Sequence, residues 1–214
     1  MQVSSENTII RNFPKHYSVW MRIYANVINI LGKAKVVPIF NQLTKSDKKK
    51  FKKALRPGDL VLVGGLRDLS SLFVQGAVTH GLIYVGKNTF YHSYAHGVEK
   101  TSMKKVLKMS DTIIVSRHPG MNAKRLKSMK KFLKEQVGTP YNFNFEPDEG
   151  SYICSELLKE SFKTCDLDVK LRPMQSYTFY SVVHPLDFAL SDSLDVKFMS
   201  QNLRIEDGRV IFLW

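Results

Sequence analysis

Apolar side chains recur with helical spacing in four parts of the chain. Residues 14–31 follow the i, i+3, i+4, i+7 spacing that is typical of an amphipathic helix. The apolar stripe consists of Tyr17, Trp20, Met21, Tyr24, Val27, Ile28 and Leu31. Residues 44–55 predict a short basic helix, and residues 122–137 and 154–162 predict two more. We expect the stripe of the first helix to pack on the domain, with contact to a membrane surface as the alternative.

Runs of β-branched and aromatic residues predict strands in the middle of the chain. They cover residues 60–63, which follow an Arg-Pro-Gly-Asp turn signal, and residues 78–85, 89–93 and 112–117. Near the end of the chain, Asp-Gly at 207–208 lies between alternating apolar residues and predicts a β-hairpin. Strands in the middle with helices on either side indicate the α+β class.

The positive charge of the chain is compatible with an anionic partner. The 214 residues carry a formal net charge of +13, much of it in residues 45–56 and 124–134. A lysine-rich surface attracts nucleic acid, acidic lipid headgroups or an anionic cell-wall polymer. A solvated helix face explains the same residues, and we prefer that interpretation. No zinc-finger spacing and no RNA-recognition signature indicates a specific nucleic-acid contact.

The N-terminal residues and the two cysteines bear on the cellular location of the protein. The first residues lack a basic segment followed by an apolar one, so we expect no signal peptide. Cys154 and Cys165 would lie about 16 Å apart on a helix, too far for a disulfide. We therefore expect free thiols in a cytoplasmic protein, with peripheral membrane association as the alternative.

The candidate chemistry centres on Cys154, which follows the loop 148–151 where a helix is predicted to begin. Amide groups and partial positive charge at a helix N-terminus favour the thiolate and could stabilise an oxyanion. A second oxyanion donor is not evident from the sequence. The alternative is a buried cysteine that acts as a small apolar residue.

Two histidines upstream supply a candidate base and its orienting partner. His80 lies in an otherwise apolar strand, and a tight turn would bring His92 back beside it. A base within reach of a thiol, held by a third polar group, is the arrangement of a catalytic triad. His96 is a rival of His92 for the third position. The spacings of these residues match no structural zinc motif.

An ordered set of motifs resembles a known family. The motifs are Leu-Arg-Pro-Gly-Asp-Leu at 55–60, Thr-His-Gly-Leu-Ile-Tyr-Val-Gly at 79–86, Phe-Tyr-His at 90–92, Gly-Thr-Pro-Tyr-Asn at 138–142 and Tyr-Ile-Cys-Ser-Glu-Leu at 152–157. They resemble the permuted papain-like amidases of the YaeF/YiiX type, in the NlpC-type superfamily that includes lecithin–retinol acyltransferase. The resemblance runs from about residue 55 to about residue 187.

The resemblance implies a circularly permuted papain-like core with an antiparallel sheet packed against the helix that carries the cysteine. It implies Cys154 as nucleophile, His80 as base, His92 as orienting residue and Tyr141 as a substrate-pocket residue. We divide the chain into an N-terminal helical extension (1–54), a catalytic domain (55–190) and a C-terminal tail with a hairpin (191–214).

The predicted function is therefore a cysteine hydrolase that acts through a thioester and needs no cofactor. The resemblance implies peptides, cell-wall peptides or lipid esters as substrates. One alternative is a lipid-directed acyltransferase or phospholipase at a membrane surface. Another is a catalytically idle binding module that captures an acidic partner through its basic surface.

Overall fold

The computed structural model describes residues 9–32, 43–65, 77–146, 148–171 and 183–213, and these contain six helices and eight strands. The helices are α1 (Val19–Gly32), α2 (Lys45–Ala54), α3 (Met103–Met109), α4 (Ala123–Glu135), α5 (Cys154–Lys163) and α6 (Pro185–Ala189). The strands are β1 (Leu60–Gly64), β2 (His80–Gly86), β3 (Thr89–Tyr94), β4 (Gly97–Ser102), β5 (Thr112–Arg117), β6 (Asp195–Met199), β7 (Leu203–Glu206) and β8 (Arg209–Phe212).

Six of the strands form one antiparallel sheet in the order β4-β3-β2-β1-β5-β6. β1 lies near the centre and all five of its residues are buried or nearly so, as expected for a strand covered on both faces. β7 and β8 form the predicted hairpin, with Asp207 and Gly208 in the turn. The α+β class is confirmed.

Each face of the sheet has its own apolar core. On one face Leu62, Ile83 and Ile114 pack with residues of α4, α5 and α6. On the other face Val61 and Val63 pack with residues of α2 and α3. Alternate residues of a strand point to opposite faces, which is why neighbours in β1 belong to different cores.

A buried ion pair fixes the turn that leads into β1. Arg117 donates to both carboxylate oxygens of Asp59, at 2.6 and 2.8 Å, and to the carbonyl of Ala54 at 2.9 Å. Asp59 also accepts the backbone N–H of Arg56 at 2.7 Å. Bidentate pairing satisfies the buried carboxylate. The Arg-Pro-Gly-Asp turn is therefore bound to β5 through Arg117.

The predicted helices and the four predicted strands are confirmed, but four elements were not foreseen. These are β4, α3, α6 and β6. β4 has the sequence Gly-Val-Glu-Lys-Thr-Ser and lacks a clear apolar alternation. β6 is an edge strand with exposed charged residues, so its pairing with β5 is decided by contacts remote in sequence.

The prediction for the apolar stripe of α1 is wrong. Ala25 and Asn29 are the buried residues of this helix, whereas Trp20 and Tyr24 are 80% and 52% exposed. Of the stripe, Tyr17 is buried and Met21 is half-buried. The helix packs through its small and polar side, because Ala25 allows close contact with the cluster around Tyr17 and Phe143.

None of the described helices is both long and apolar enough to cross a membrane. Parts of the predicted N-terminal extension, residues 1–8 and 33–42, lie outside the described residues.

Candidate active site

Cys154 is the first residue of α5, and the chain around it holds that helix start in place. The carboxylate of Glu156 accepts the backbone N–H of Ile153 at 2.9 Å, which caps the helix. The hydroxyl of Ser93 in β3 donates to the carbonyl of Tyr152 at 2.6 Å. A parallel bridge joins Tyr141 to Tyr152. The cysteine is thereby fixed between its own helix and β3.

Close approach of α5 to β2 brings the thiol beside Gly81, the residue that follows His80. A Cβ atom at Gly81 would lie 2.5 Å from Cδ1 of Leu158, so the missing side chain permits this packing. The backbone amides of Gly81, Ser155 and Cys154 itself lower the pKa of the Cys154 thiol, so all three lie near the sulfur.

His80 and His92 form a buried pair on neighbouring strands. Nε2 of His80 lies 2.8 Å from Nδ1 of His92, within hydrogen-bond distance. The two rings are nearly perpendicular, with centroids 5.0 Å apart. Both side chains are almost fully buried. His96, the rival for the third position, lies beyond β3, and the structure gives the contact with His80 to His92.

Glu99 lies behind His92 and was not identified from the sequence. The register of β3 and β4 pairs these two residues directly. Oε1 of Glu99 is 3.4 Å from Nε2 of His92 and 3.5 Å from Nζ of Lys105. Burial raises the pKa of Glu99, but the contacts with His92 and Lys105 outweigh burial and leave that pKa below its usual 4.5. A carboxylate thus faces the outer nitrogen of His92.

The thiol and the first imidazole are both neutral at ordinary pH. Burial raises the pKa of Cys154 from 9.0 to about 11, although the three amides lower it. Burial also holds the pKa of His80 well below its usual 6.5, and the neighbouring His92 lowers it further. The expected preference for a thiolate at the helix start is therefore outweighed by desolvation in the free protein.

Aromatic side chains cover the site on the side of the N-terminal segment. The ring of Tyr94 packs on His80 at a centroid distance of 5.4 Å. Tyr141 packs on Phe143 at 4.8 Å. Burial raises the pKa of Tyr141 well above its usual 10.0, and the nearby Cys154 and Tyr94 raise it further. Tyr141 therefore lies close to the thiol and keeps its hydroxyl proton.

The other cysteine has different surroundings. The Sγ atom of Cys165 lies 3.2 Å from the carbonyls of Arg125 and Ser161, at the far end of α5. Both cysteines are free and buried. Among the residues that the structure describes, no group of three or more His, Cys, Asp or Glu side chains is arranged to hold a metal ion.

Comparison with known proteins gives three matches. A family described as "Permuted papain-like amidase enzyme, YaeF/YiiX, C92 family" matches residues 54–195, more than half of the chain. The probable lipoprotein peptidase YaeF of Escherichia coli strain K12 is 29% identical over 92 residues. That alignment covers 42% of this chain and 34% of YaeF, so it spans about a third of the relative's length.

The third match is a solved structure. A crystal structure titled as the metalloprotein yiiX from Escherichia coli O157:H7 has a TM-score of 0.55 and 14% sequence identity. The likeness covers 66% of this chain and 95% of that one. At this identity the likeness shows the fold alone, and the predicted permuted papain-like architecture is confirmed.

Proposed function

Since the chain belongs to the permuted papain-like amidases of the YaeF/YiiX type, we propose that it is a hydrolase whose nucleophile is Cys154. Membership of the family supports an enzyme of the amidase or peptidase type. The observation that carries the proposal for Cys154 is a helix-start thiol beside Gly81, the residue that follows His80, together with the hydrogen-bonded pair of His80 and His92. The substrate, an amide or an ester, and the acceptor of the acyl group are proposed in the same way.

The order of protons in the site follows from Glu99. A carboxylate facing Nε2 of His92 favours the tautomer with its proton on that nitrogen. Nδ1 of His92 then accepts the Nε2–H of His80, and the lone pair of His80 is left on Nδ1. In this proposal His80 takes the thiol proton with Nδ1.

The reaction begins from the neutral pair. As the sulfur of Cys154 attacks the carbonyl carbon of an amide or ester, the S–C bond forms and the thiol proton moves to His80. The carbonyl oxygen becomes an oxyanion, and in this proposal the backbone N–H groups at the start of α5 and the hydroxyl of the neighbouring Tyr141 act as its hydrogen-bond donors.

Collapse of the tetrahedral intermediate breaks the bond to the leaving group. His80 gives its proton to the departing nitrogen or oxygen, and a thioester remains on Cys154. Water, or another acceptor, then loses a proton to His80 and attacks the thioester. The acyl group leaves, and the proton returns to the sulfur. The cycle consumes no cofactor in this proposal.

The experiment uses two chromogenic probes, p-nitrophenyl butyrate for esters and alanine p-nitroanilide for amides. We expect turnover that Cys154→Ser lowers by about a thousandfold or more, because a hydroxyl is a much weaker acid and nucleophile than a thiol. Intact-protein mass spectrometry should detect an acyl adduct on Cys154 in the wild type. Cys165→Ser is the matched control, since it alters the second buried thiol of the chain, and its turnover should stay near that of the wild type.

Turnover that survives Cys154→Ser would contradict the proposal. If neither probe reacts, the same comparison is made with a fluorescent acyl-phosphatidylcholine, because lipid esters are the second candidate substrate class. The observation that favours lipid substrates is the exposed apolar side of α1. A catalytically idle binding module would show no acyl adduct on Cys154 with any of the three probes.

A further inference from the structure

The outward side of α1 is an unusually apolar surface. Eight large apolar residues of this helix are between 42% and 80% exposed. They are Val19, Trp20, Ile23, Tyr24, Val27, Ile28, Ile30 and Leu31. At 100° per residue they occupy an arc of roughly 180°, half of the helix surface. We call these eight residues the α1 apolar face.

The opposite side of α1 is held by the domain, so the α1 apolar face points outward in the folded protein. Ala25 and Asn29 are buried, and the side chain of Asn26 bonds to both the N–H and the carbonyl of Ile10 at 2.7 and 3.3 Å. Just before the helix, the Tyr17 hydroxyl accepts the backbone N–H of Phe143 at 2.8 Å. These contacts fix the orientation of the helix.

The formally charged residues of the segment that carries the α1 apolar face have one sign. Residues 9–32 contain no Asp or Glu, whereas Arg11, Lys15 and Arg22 are exposed. A partner helix usually covers a narrower stripe than half a cylinder. Apolar residues with Trp and Tyr among them, bordered by cations, are typical of a helix that lies in the interface of an anionic membrane.

We propose that the α1 apolar face docks the protein on an anionic lipid bilayer. The proposal does not depend on the reaction at Cys154. It has one consequence for that site: the inner side of α1 packs with Tyr94, Tyr141 and Phe143, which lie beside the histidines and the thiol. Docking would place the site about one helix diameter, roughly 10 Å, from the lipid surface.

The chain offers its own reporter for this contact. It contains two tryptophans, Trp20 in the α1 apolar face and Trp214 at the other end of the sequence. A Trp214→Phe protein therefore reports on Trp20 alone. We expect its emission to shift to shorter wavelength on mixing with vesicles of phosphatidylcholine and phosphatidylglycerol, and brominated lipid in those vesicles should quench it.

Sedimentation with the same vesicles gives the affinity. The double variant Val27→Asp/Leu31→Asp should bind about a hundredfold more weakly, because it removes two apolar side chains that docking would bury in the bilayer. The matched control is Ile211→Asp/Leu213→Asp, which makes the same chemical change at two exposed apolar residues elsewhere. Its binding should fall much less. Thermal unfolding of both variants checks that each is folded.

Three results would overturn the proposal. They are no sedimentation with the anionic vesicles, equal sedimentation with pure phosphatidylcholine, and equal weakening by the control variant. A concentration-dependent dimer that Val27→Asp/Leu31→Asp dissociates, without vesicle binding by the wild type, would assign the α1 apolar face to a second copy instead. Each result is independent of whether Cys154→Ser loses turnover.

Discussion

α1 and α5 have the same kind of sequence pattern and opposite surroundings. Both are amphipathic, but α5 buries Leu157, Leu158 and Phe162 against the sheet, whereas the α1 apolar face is exposed. α5 is covered because Gly81 lets it approach β2 closely. α1 is attached through the small side of the helix. An apolar stripe therefore predicts that a helix has a face to cover, and the rest of the fold decides what covers it.

The largest expected difference between the two helices is in stability. Phe162→Ala should lower the free energy of unfolding by about 3–5 kcal/mol, because it opens a cavity in the core. Trp20→Ala should change it by about 0.5 kcal/mol or less, because Trp20 is 80% exposed. Urea denaturation of the two variants measures both values. A large loss for Trp20→Ala would mean that the α1 apolar face is covered in solution.

The pH dependence of stability should belong to the α5 region. Above pH 9 the thiol of Cys154 ionises in the unfolded chain but stays protonated in the fold, so unfolding releases a proton. Its contribution is complete below pH 9 and is lost as the pH rises toward about 11, on the order of 2 kcal/mol. Denaturation of wild type and Cys154→Ser across this range should show the difference.

The imidazole of His80 has the opposite effect on the pH dependence of stability. Because the folded pKa of His80 lies well below 6.5, the unfolded chain binds a proton there first as the pH falls. Stability should therefore decrease below pH 6.5 in the wild type and less so in His80→Gln. If Cys154→Ser and His80→Gln follow the wild-type curve at both ends, neither pKa differs between the folded and unfolded chain, and our assignment of two groups kept neutral by burial is wrong.

The smallest effect sharpens the description of the site itself. Glu99→Gln should lower kcat by roughly tenfold, because it removes the charge that selects the His92 tautomer. Glu99→Asp should restore part of this loss. The pH profile of kcat/KM should shift for Glu99→Gln with little change in thermal stability, and a stability loss without a shift would indicate a structural residue only. Lys105→Gln, which leaves Glu99 in place, is the comparison variant.

The elements that the sequence predicted share a strong local signal. α5 and β2 have clear apolar periodicity, and Asp-Gly at 207–208 has the turn chemistry of a hairpin. α6 also carries a local signal, since Pro185 follows the capping residue His184 and Asp187 completes the cap. β4 and β6 had none, because an edge position leaves a strand free to carry charge.

The candidate site divides in the same way. Cys154, His80, His92 and Tyr141 were identified from motif order; the structure pairs His80 with His92 and places Tyr141 near Cys154, and the roles of all four stay predictions. Glu99 lies in a polar strand, and its relation to His92 arises from the β3–β4 register. No local pattern encodes that pairing.

The sequence by itself determined the helices and inner strands, the family and the candidate nucleophile and base, because these depend on periodicity and on ordered motifs. The tertiary structure alone decided three further points. It keeps Cys154 and His80 neutral, because burial disfavours the charged form of each and, at Cys154, outweighs the effect of the three nearby amides. It placed Glu99 behind His92, and it turned the apolar residues of α1 outward, because both depend on contacts between residues far apart in the chain.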